Sequence, residues 1–277
     1  MPQLQQMLGG YDNVVLKPLD NDNKTPSSPR NYGVTCCTAP YIGYLDGDDI
    51  YYPDCLEVAV REAERTQSQV VTFRRVFQTE NGEPSPVQSK MLWNLTDPCV
   101  IVEDAKEDEN KMFTSIDGFV TSRLFERKFL IDKGITFDET IGMAEDMYYS
   151  LLTIAQAKRT CYLTQLVGYI YVINSGSLVQ TWDKDGDTLV SYAKGFKKII
   201  DTALDFGFDM QIFAQPLCMV ESRYILCSSN ITLAQREEIK TILAPYVNDL
   251  RPLPVNKLYS RVFSDVMYRL PHEVILN

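Results

Sequence analysis

Histidine, tryptophan, long apolar runs and excess basic charge are all scarce in this sequence. The single histidine, His272, leaves Ser-His or Cys-His nucleophilic chemistry without a base and makes a His-rich zinc centre unexpected. Lys and Arg number 27 against 37 Asp and Glu, a formal net charge of −10. With no basic field to hold a phosphate backbone, no nucleic acid is expected as a partner. Nothing approaches the ~20 apolar residues of a membrane-spanning helix. The start, Met1-Pro2-Gln3-Leu4-Gln5-Gln6, lacks the basic and apolar segments of a signal peptide, so a cytoplasmic protein is expected. The seven cysteines, Cys36, Cys37, Cys55, Cys99, Cys161, Cys218 and Cys227, are odd in number and form no Cys-x-x-Cys pair. They read as reduced, mostly buried apolar side chains.

What is present is 277 residues, 45% of them hydrophobic and 23% charged, an ordinary composition for a folded chain with a real core. Asn13–Leu16 reads as a strand closed by Pro18, and Asp20–Pro29 as a loop by its Pro and Ser content. Tyr41–Leu45 is a second strand. Pro53 and Asp54 open a helix in which Leu56, Ala59, Val60 and Ala63 recur as far as Arg65, and Val70–Phe77 is the next strand. From Gln78 to Met112 the pattern gives way to a solvated, acidic insertion that includes Glu103–Glu109. Helical periodicity returns over Phe119–Leu130, with Gly134 as a stop, and again from Met143 to about Lys158; Cys161–Leu163 and Val167–Ile173 read as strands. Beyond Ser177 the apolar residues Leu189, Ala193, Phe196, Ile200 and Ala203, then Ile239, Ile242 and Leu243, then Leu258, Val262 and Val266 outline amphipathic helices. These patterns predict an α/β core over residues 1–182 and a helical module over 183–277.

With so little histidine, acid–base chemistry falls to carboxylates. The strand at Tyr41 runs straight into Asp46-Gly47-Asp48-Asp49, at the sheet edge where open α/β folds bind ligands. Such a cluster suits Mg²⁺ or Mn²⁺ shared with a diphosphate, the metal offsetting charge on a departing phosphate oxygen; a plain Asx-type turn explains the same four residues equally well. Arg30 offers a planar fork to a diphosphate, helped by the amides of a helix opening near Asn31, or it is a surface arginine. Glu145 and Asp146 are a catalytic pair or first-turn acids favoured by the helix dipole. Tyr169 and Tyr171 line a sugar site or the core, and Trp93 and Trp182 stack on a sugar or simply pack.

The order of these pieces carries more than any one of them. Ser27-Ser28-Pro29-Arg30-Asn31-Tyr32-Gly33 is followed by Tyr41 to Asp49 and then Pro53-Asp54. Leu124 to Leu130, Gly134 to Glu139, Glu145-Asp146-Met147-Tyr148 and Tyr169-Ile170-Tyr171 leading to Ser177 come next. From about Asp12 to Ser177 this order resembles glycosyltransferase family 2, the inverting GT-A enzymes. The resemblance implies a Rossmann-like nucleotide-diphospho-sugar transferase core, with Asp48 coordinating the metal beside Asp46 or Asp49. It implies Asp146 as the base that deprotonates an acceptor hydroxyl, with Glu145 alongside raising its pKa. A nucleotide-sugar donor and a saccharide, polyol-phosphate or glycoconjugate acceptor follow, in surface-polysaccharide, teichoic-acid or glycoconjugate assembly, peripheral to the inner face of a membrane where the acceptor is membrane-associated.

The family's opening strands, ending in Pro-x-Tyr-Asn and Asp-Asp-Gly-Ser, have no counterpart here, which predicts an N-terminally incomplete GT-A core. Three accounts fit: a start at a downstream methionine, a rearranged remnant, or completion of the sheet by a second chain. Val172 stands where relatives often carry a basic residue, which removes one phosphate contact. Two rivals stand beside the transferase: a catalytically silent relative acting as a binding or assembly subunit, and a metal-dependent nucleotidyl- or phosphotransferase. The stripe Tyr259, Val262, Phe263, Val266 and Met267 offers a surface for homo-oligomerisation or a satellite core.

Overall fold

Continuous runs of buried residues in its central strands build a sheet that is covered on both faces. The computed structural model describes residues 6–8, 10–19, 25–85, 95–106, 119–174, 186–208 and 230–248. Six strands form one sheet: β1 (Tyr41–Gly43), β2 (Ile50–Tyr51), β3 (Val70–Thr79), β4 (Cys99–Val102), β5 (Arg123–Glu126) and β6 (Thr160–Ile173). Their order is β1-β5-β3-β6-β2, and β4 pairs with the start of β6 while β2 pairs near its end. Only β3 and β6 run parallel; the other pairings are antiparallel.

Successive side chains of a strand point to opposite faces, and the core divides accordingly. Val70 and Phe125 join Ile42, Tyr44, Phe137 and Tyr149 on one face, whereas Val71 and Leu124 join Phe73, Cys161 and Tyr169 on the other. The second face is covered by α2 (Cys55–Thr66), whose Cys55, Ala59 and Ala63 face the sheet at helical spacing. The first face is covered by α3 (Arg127–Asp132) and α4 (Glu145–Gln156), the latter contributing Tyr149. Tyr149 stacks on Phe137 at a centroid distance of 3.9 Å and shares a hydrogen bond with the Tyr44 hydroxyl at 3.0 Å. These aromatics fix the strand that leads into the aspartate cluster against the helix that carries the acid pair.

Helix α4 has a second apolar stripe, Met147, Leu151 and Ile154, that packs with α5 (Gly186–Asp205) and α6 (Leu233–Asn248) in a separate core with Phe196, Ile200, Ile239 and Leu243. The helices foreseen around Leu189–Ala203 and Ile239–Leu243 are therefore present. The stripe at Leu258–Val266, Tyr259 and Met267 included, lies outside the described residues, as do Trp93, Trp182, Cys218, Cys227 and His272.

Several elements depart from the sequence reading. Asn13–Leu16 forms no strand; Val14 and Val15 are 38% and 71% exposed, so their apolar character reflects no ladder. The supposed loop before Pro29 already contains α1 (Ser27–Cys36), whose first turn accepts Pro29 because an amide is not required there. Phe119–Leu130 is not one helix: Arg123–Glu126 is strand β5, wedged between β1 and β3, and only Arg127–Asp132 is helical. A short apolar run buried on both faces has no periodicity to tell strand from helix. The polar segment after Gln78 hides β4, and the two strands expected at Cys161 and Val167 are one, β6, with register shifts between Phe73 and Arg75 where residues of β6 loop out of the ladder. Of the five described cysteines, Cys36 and Cys37 are exposed rather than buried, because α1 turns them outward at its C-terminus.

Candidate functional site

Arg30, in the second turn of α1, reaches from its helix to two distant parts of the chain. Its Nη1 donates to Asp146 Oδ1 at 2.5 Å and lies 3.6 Å from Glu145 Oε1, while Nη2 donates to Asp46 Oδ1 at 3.0 Å. The guanidinium also sits 5.3 Å from the centroid of the Phe137 ring. One cation thus ties the aspartate turn after β1 to the acid pair at the start of α4. The side chains of Arg30, Glu145 and Asp146 are 12%, 15% and 15% exposed.

Burial governs how these groups hold their protons. It pushes the Glu145 carboxyl up to about 7, with the adjacent Asp146 charge adding to the effect. Asp146 is also raised by burial; Arg30 and the Val120 amide, which donates to Oδ2 at 3.3 Å, pull in the opposite direction. For Arg30, burial disfavours the charge, but Asp146, Asp46 and Glu145 outweigh it and hold the guanidinium more firmly protonated than usual. The pair therefore shares a single counter-cation, and one of its two carboxyls can keep a proton near neutrality.

The backbone just before the pair is unusual. Ala144 adopts a left-handed conformation with φ of 70°, and α4 starts at the next residue. Gly195 of α5 lies against this turn: a Cβ built there would overlap the Met143 carbonyl oxygen and come within 3.5 Å of Ala144 Cβ. Lys198, on the same helix, forms an ion pair with Asp138, whose carboxyl is held below its usual range by that contact and two bonds from Thr140, despite burial acting the other way. Helix α5 therefore seats the segment that presents Glu145 and Asp146.

Asn31 does a different job from its neighbour. Its Nδ2 donates to the Phe137 carbonyl at 2.9 Å and to Glu139 Oε1 at 3.1 Å, and its Oδ1 accepts from the Phe137 amide at 2.8 Å. This two-way clamp pins the 134–139 segment to α1. The amides expected to be free near Asn31 are not, since the helix begins four residues earlier and Arg30 N already donates to the Pro26 carbonyl.

The aspartate turn is held from β6. Tyr169 donates its hydroxyl to Asp49 Oδ2 at 2.6 Å and the Val172 amide donates to Oδ1 at 2.8 Å, so both oxygens of Asp49 are engaged by the protein. Asn174 Nδ2 donates to Asp48 Oδ2 at 2.5 Å. Tyr169 is fully buried, so it supports the turn from the core and does not line a sugar site. Asp48 is exposed and Asp46 half-exposed, leaving hard carboxylate oxygens open at the surface. Among the described residues no group of three His, Cys, Asp or Glu side chains converges on one point. A Mg²⁺ or Mn²⁺ ion that shares a diphosphate needs only one or two carboxylates from the protein, a requirement that the chemistry of Asp48 and Asp46 fits; both oxygens of Asp49 are already committed. The sequence pointed to seven residues, Arg30, Asn31, Asp46, Asp48, Asp49, Glu145 and Asp146, but carried no signal for the Val120 amide, the Tyr169 brace or Asn174.

Residues 3–131 match the model of glycosyl transferase family 2. Over 170 residues the chain is 29% identical to the succinoglycan biosynthesis protein ExoO of Rhizobium meliloti, covering 60% of this chain and 47% of that protein. Over 157 residues it is 28% identical to the uncharacterized glycosyltransferase EpsJ of Bacillus subtilis, covering 56% of this chain and 44% of that one. The chain thus spans less than half the length of these curated relatives. Among solved structures, S. aureus TarS superposes with a TM-score of 0.64 at 15% identity, over 94% of this chain and 42% of TarS. A TarS fragment, 1-349, in complex with UDP-GlcNAc gives 0.53 at 15% identity, over 91% of this chain and 81% of that one. The mixed α/β sheet flanked by helices is a GT-A type fold, as the motif order led one to expect. No helix among the described residues is long and apolar enough to cross a membrane.

Proposed function

The chain belongs to glycosyltransferase family 2, and from that premise we propose that it transfers a sugar, with inversion, from a nucleotide-diphosphate sugar to a hydroxyl acceptor in surface-polysaccharide, teichoic-acid or glycoconjugate assembly. The observation that carries this reading is Arg30 bonded at once to Asp146 and Asp46, which draws the acid pair and the aspartate turn into one site. Asp146 accepts the proton of the acceptor hydroxyl as its oxygen attacks the anomeric carbon, and the nucleoside diphosphate leaves from the opposite face. Arg30 holds Asp146 in place and favours its ionised form, while Glu145, with its pKa near 7, relieves the pair of a second negative charge. Asp48 and Asp46 would hold a divalent cation, which when bound supplies charge neutralisation for the departing diphosphate. The acceptor is a saccharide, a polyol phosphate or a glycoconjugate, and the site of action is the cytoplasmic side of a membrane that presents it.

The test is calorimetry with Mn²⁺ and a panel of nucleotide sugars, starting with UDP sugars because TarS was solved with UDP-GlcNAc, followed by a transfer assay. Donor binding with sugar transfer is the expected result. Absence of binding across the panel overturns the transferase reading and leaves a binding or assembly subunit; release of pyrophosphate with nucleotidyl transfer points to the aspartates serving a different reaction.

A further inference from the structure

The antiparallel register of β4 on β6 sets Cys99 opposite Leu163 and Ile101 opposite Cys161. The two cysteines therefore lie on one diagonal of the ladder, on the same face of the sheet. Their sulfurs are 3.4 Å apart, in direct contact. A disulfide at ~2.05 Å requires them to close by roughly 1.4 Å, a movement of side-chain scale. Neither residue takes part in the site around Arg30, and neither is needed for the transfer chemistry.

The two sulfurs differ in surroundings. Cys99 is partly exposed, whereas Cys161 is buried. The Arg65 guanidinium, which bonds Glu62, also places Nη2 3.5 Å from Cys99 Sγ, so a cation stands beside the accessible sulfur. Burial pushes the Cys161 thiol far above its usual range, which keeps it protonated and closed to oxidants in solution. Exposed Cys36 and Cys37, by contrast, have no buried thiol facing them among the contacts of the described residues.

We propose that Cys99 and Cys161 form an oxidisable dithiol site that takes hydroperoxides and closes to a disulfide joining β4 to β6. The Cys99 sulfur attacks the peroxide oxygen; the O–O bond breaks, Cys99 becomes a sulfenic acid, and the leaving oxygen departs as water or an alcohol. The Cys161 sulfur then attacks the Cys99 sulfur, the S–O bond breaks, and the hydroxide leaves as water with the proton that Cys161 gives up. Two electrons pass from the two sulfurs to the peroxide, so no further oxidant is required. Because the second sulfur is already in contact, closure outruns further oxidation of Cys99 to the sulfinic acid.

The experiment uses the full chain in a Cys36→Ser/Cys37→Ser background, exposed to hydrogen peroxide, alkylated, digested and mapped by mass spectrometry without reduction. A Cys99–Cys161 linked peptide, lost on treatment with dithiothreitol, is the expected product, with the free-thiol count falling by two. In Cys161→Ser the bridge is absent and Cys99 is captured by dimedone as a sulfenic acid; in Cys99→Ser, Cys161 stays reduced. The proposal is overturned if Cys99 proceeds to sulfinic acid while Cys161 remains alkylatable, or if Cys99 bridges to Cys218 or Cys227 instead. The linked peptide from the parent background decides the matter even where a serine variant misfolds.

Discussion

Arg30 and Asp146 lie 116 residues apart in the chain and 2.5 Å apart in space. The same guanidinium holds Asp46, so removing it separates the two halves of the site while leaving every carboxylate in the sequence. Arg30→Gln is expected to lower kcat by ~10²-fold with donor KM changed little, since the base loses its partner and the donor keeps the aspartates. Arg30→Lys keeps the charge but not the fork and falls between the two. Steady-state kinetics on the folded variants, checked by circular dichroism, decide this; an unchanged kcat in Arg30→Gln denies Arg30 any part in holding the base.

Asp146→Asn is the complementary change. It should remove transfer by ~10²- to 10⁴-fold while donor binding, measured calorimetrically, is retained. Full turnover by this variant assigns the base elsewhere.

The raised Glu145 carboxyl makes stability depend on pH. Its pKa goes from 4.5 in the ordinary state to about 7 in the fold, so between those values the native state binds more protons than the unfolded state. Stability contributed here is present below pH ~4.5 and is lost as pH rises through about 7, a term on the order of 3 kcal/mol at most. Raised Asp146 acts in the same direction, and depressed Asp138 in the opposite one, its contribution being lost at low pH. Glu145→Gln removes the penalty of the buried charge, so urea midpoints at pH 8 should shift upward in the variant and the difference should shrink as pH falls and vanish below pH ~4.5.

Tyr169→Phe deletes the hydroxyl that donates to Asp49 Oδ2. A bond to a charged acceptor contributes ~1.5 to 3 kcal/mol, and a loss of that size should appear in equilibrium unfolding. If Asp49 only decorates the turn, the variant will unfold at the parent's denaturant midpoint.

Gly195→Ala drives a Cβ into the Met143 carbonyl, which as backbone cannot swing aside. The expected cost is ~1 to 3 kcal/mol, together with reduced turnover because the displaced turn carries Glu145 and Asp146. Gly33→Ala, where an added Cβ meets nothing within 4 Å, is the control for a helical glycine without that contact.

Local chemistry was legible in the sequence wherever one short motif made it. Asp46-Gly47-Asp48-Asp49 follows β1 as a turn, and Glu145-Asp146 starts α4. Partners brought in from afar were not legible, because nothing around Arg30 distinguishes an arginine aimed at a diphosphate from one aimed at a carboxylate 116 residues on. Helix α4 was readable from Met147, Leu151 and Ile154, whereas β5 passed for helix because Arg123, Leu124 and Phe125 are all buried and show no alternation. Val14 and Val15 misled in the other direction, their β-branched side chains suggesting a ladder where the chain pairs with no strand and both side chains are exposed.

The bonds from Tyr169 and Val172 to Asp49 span 120 and 123 residues. On the ribosome, the aspartate turn emerges long before β6, and although Arg30 can already hold Asp46 from 16 residues upstream, the two bonds to the Asp49 carboxylate must wait for β6. At ~5 to 20 residues per second, translation leaves the Asp49 carboxylate without those two donors for roughly 6 to 25 seconds. A chain stalled before Tyr169 therefore exposes its acidic turn and the apolar edge of β3 together, a combination for a chaperone to meet, and the aspartate turn gains its full set of bonds only when the last residues of β6 have left the exit tunnel.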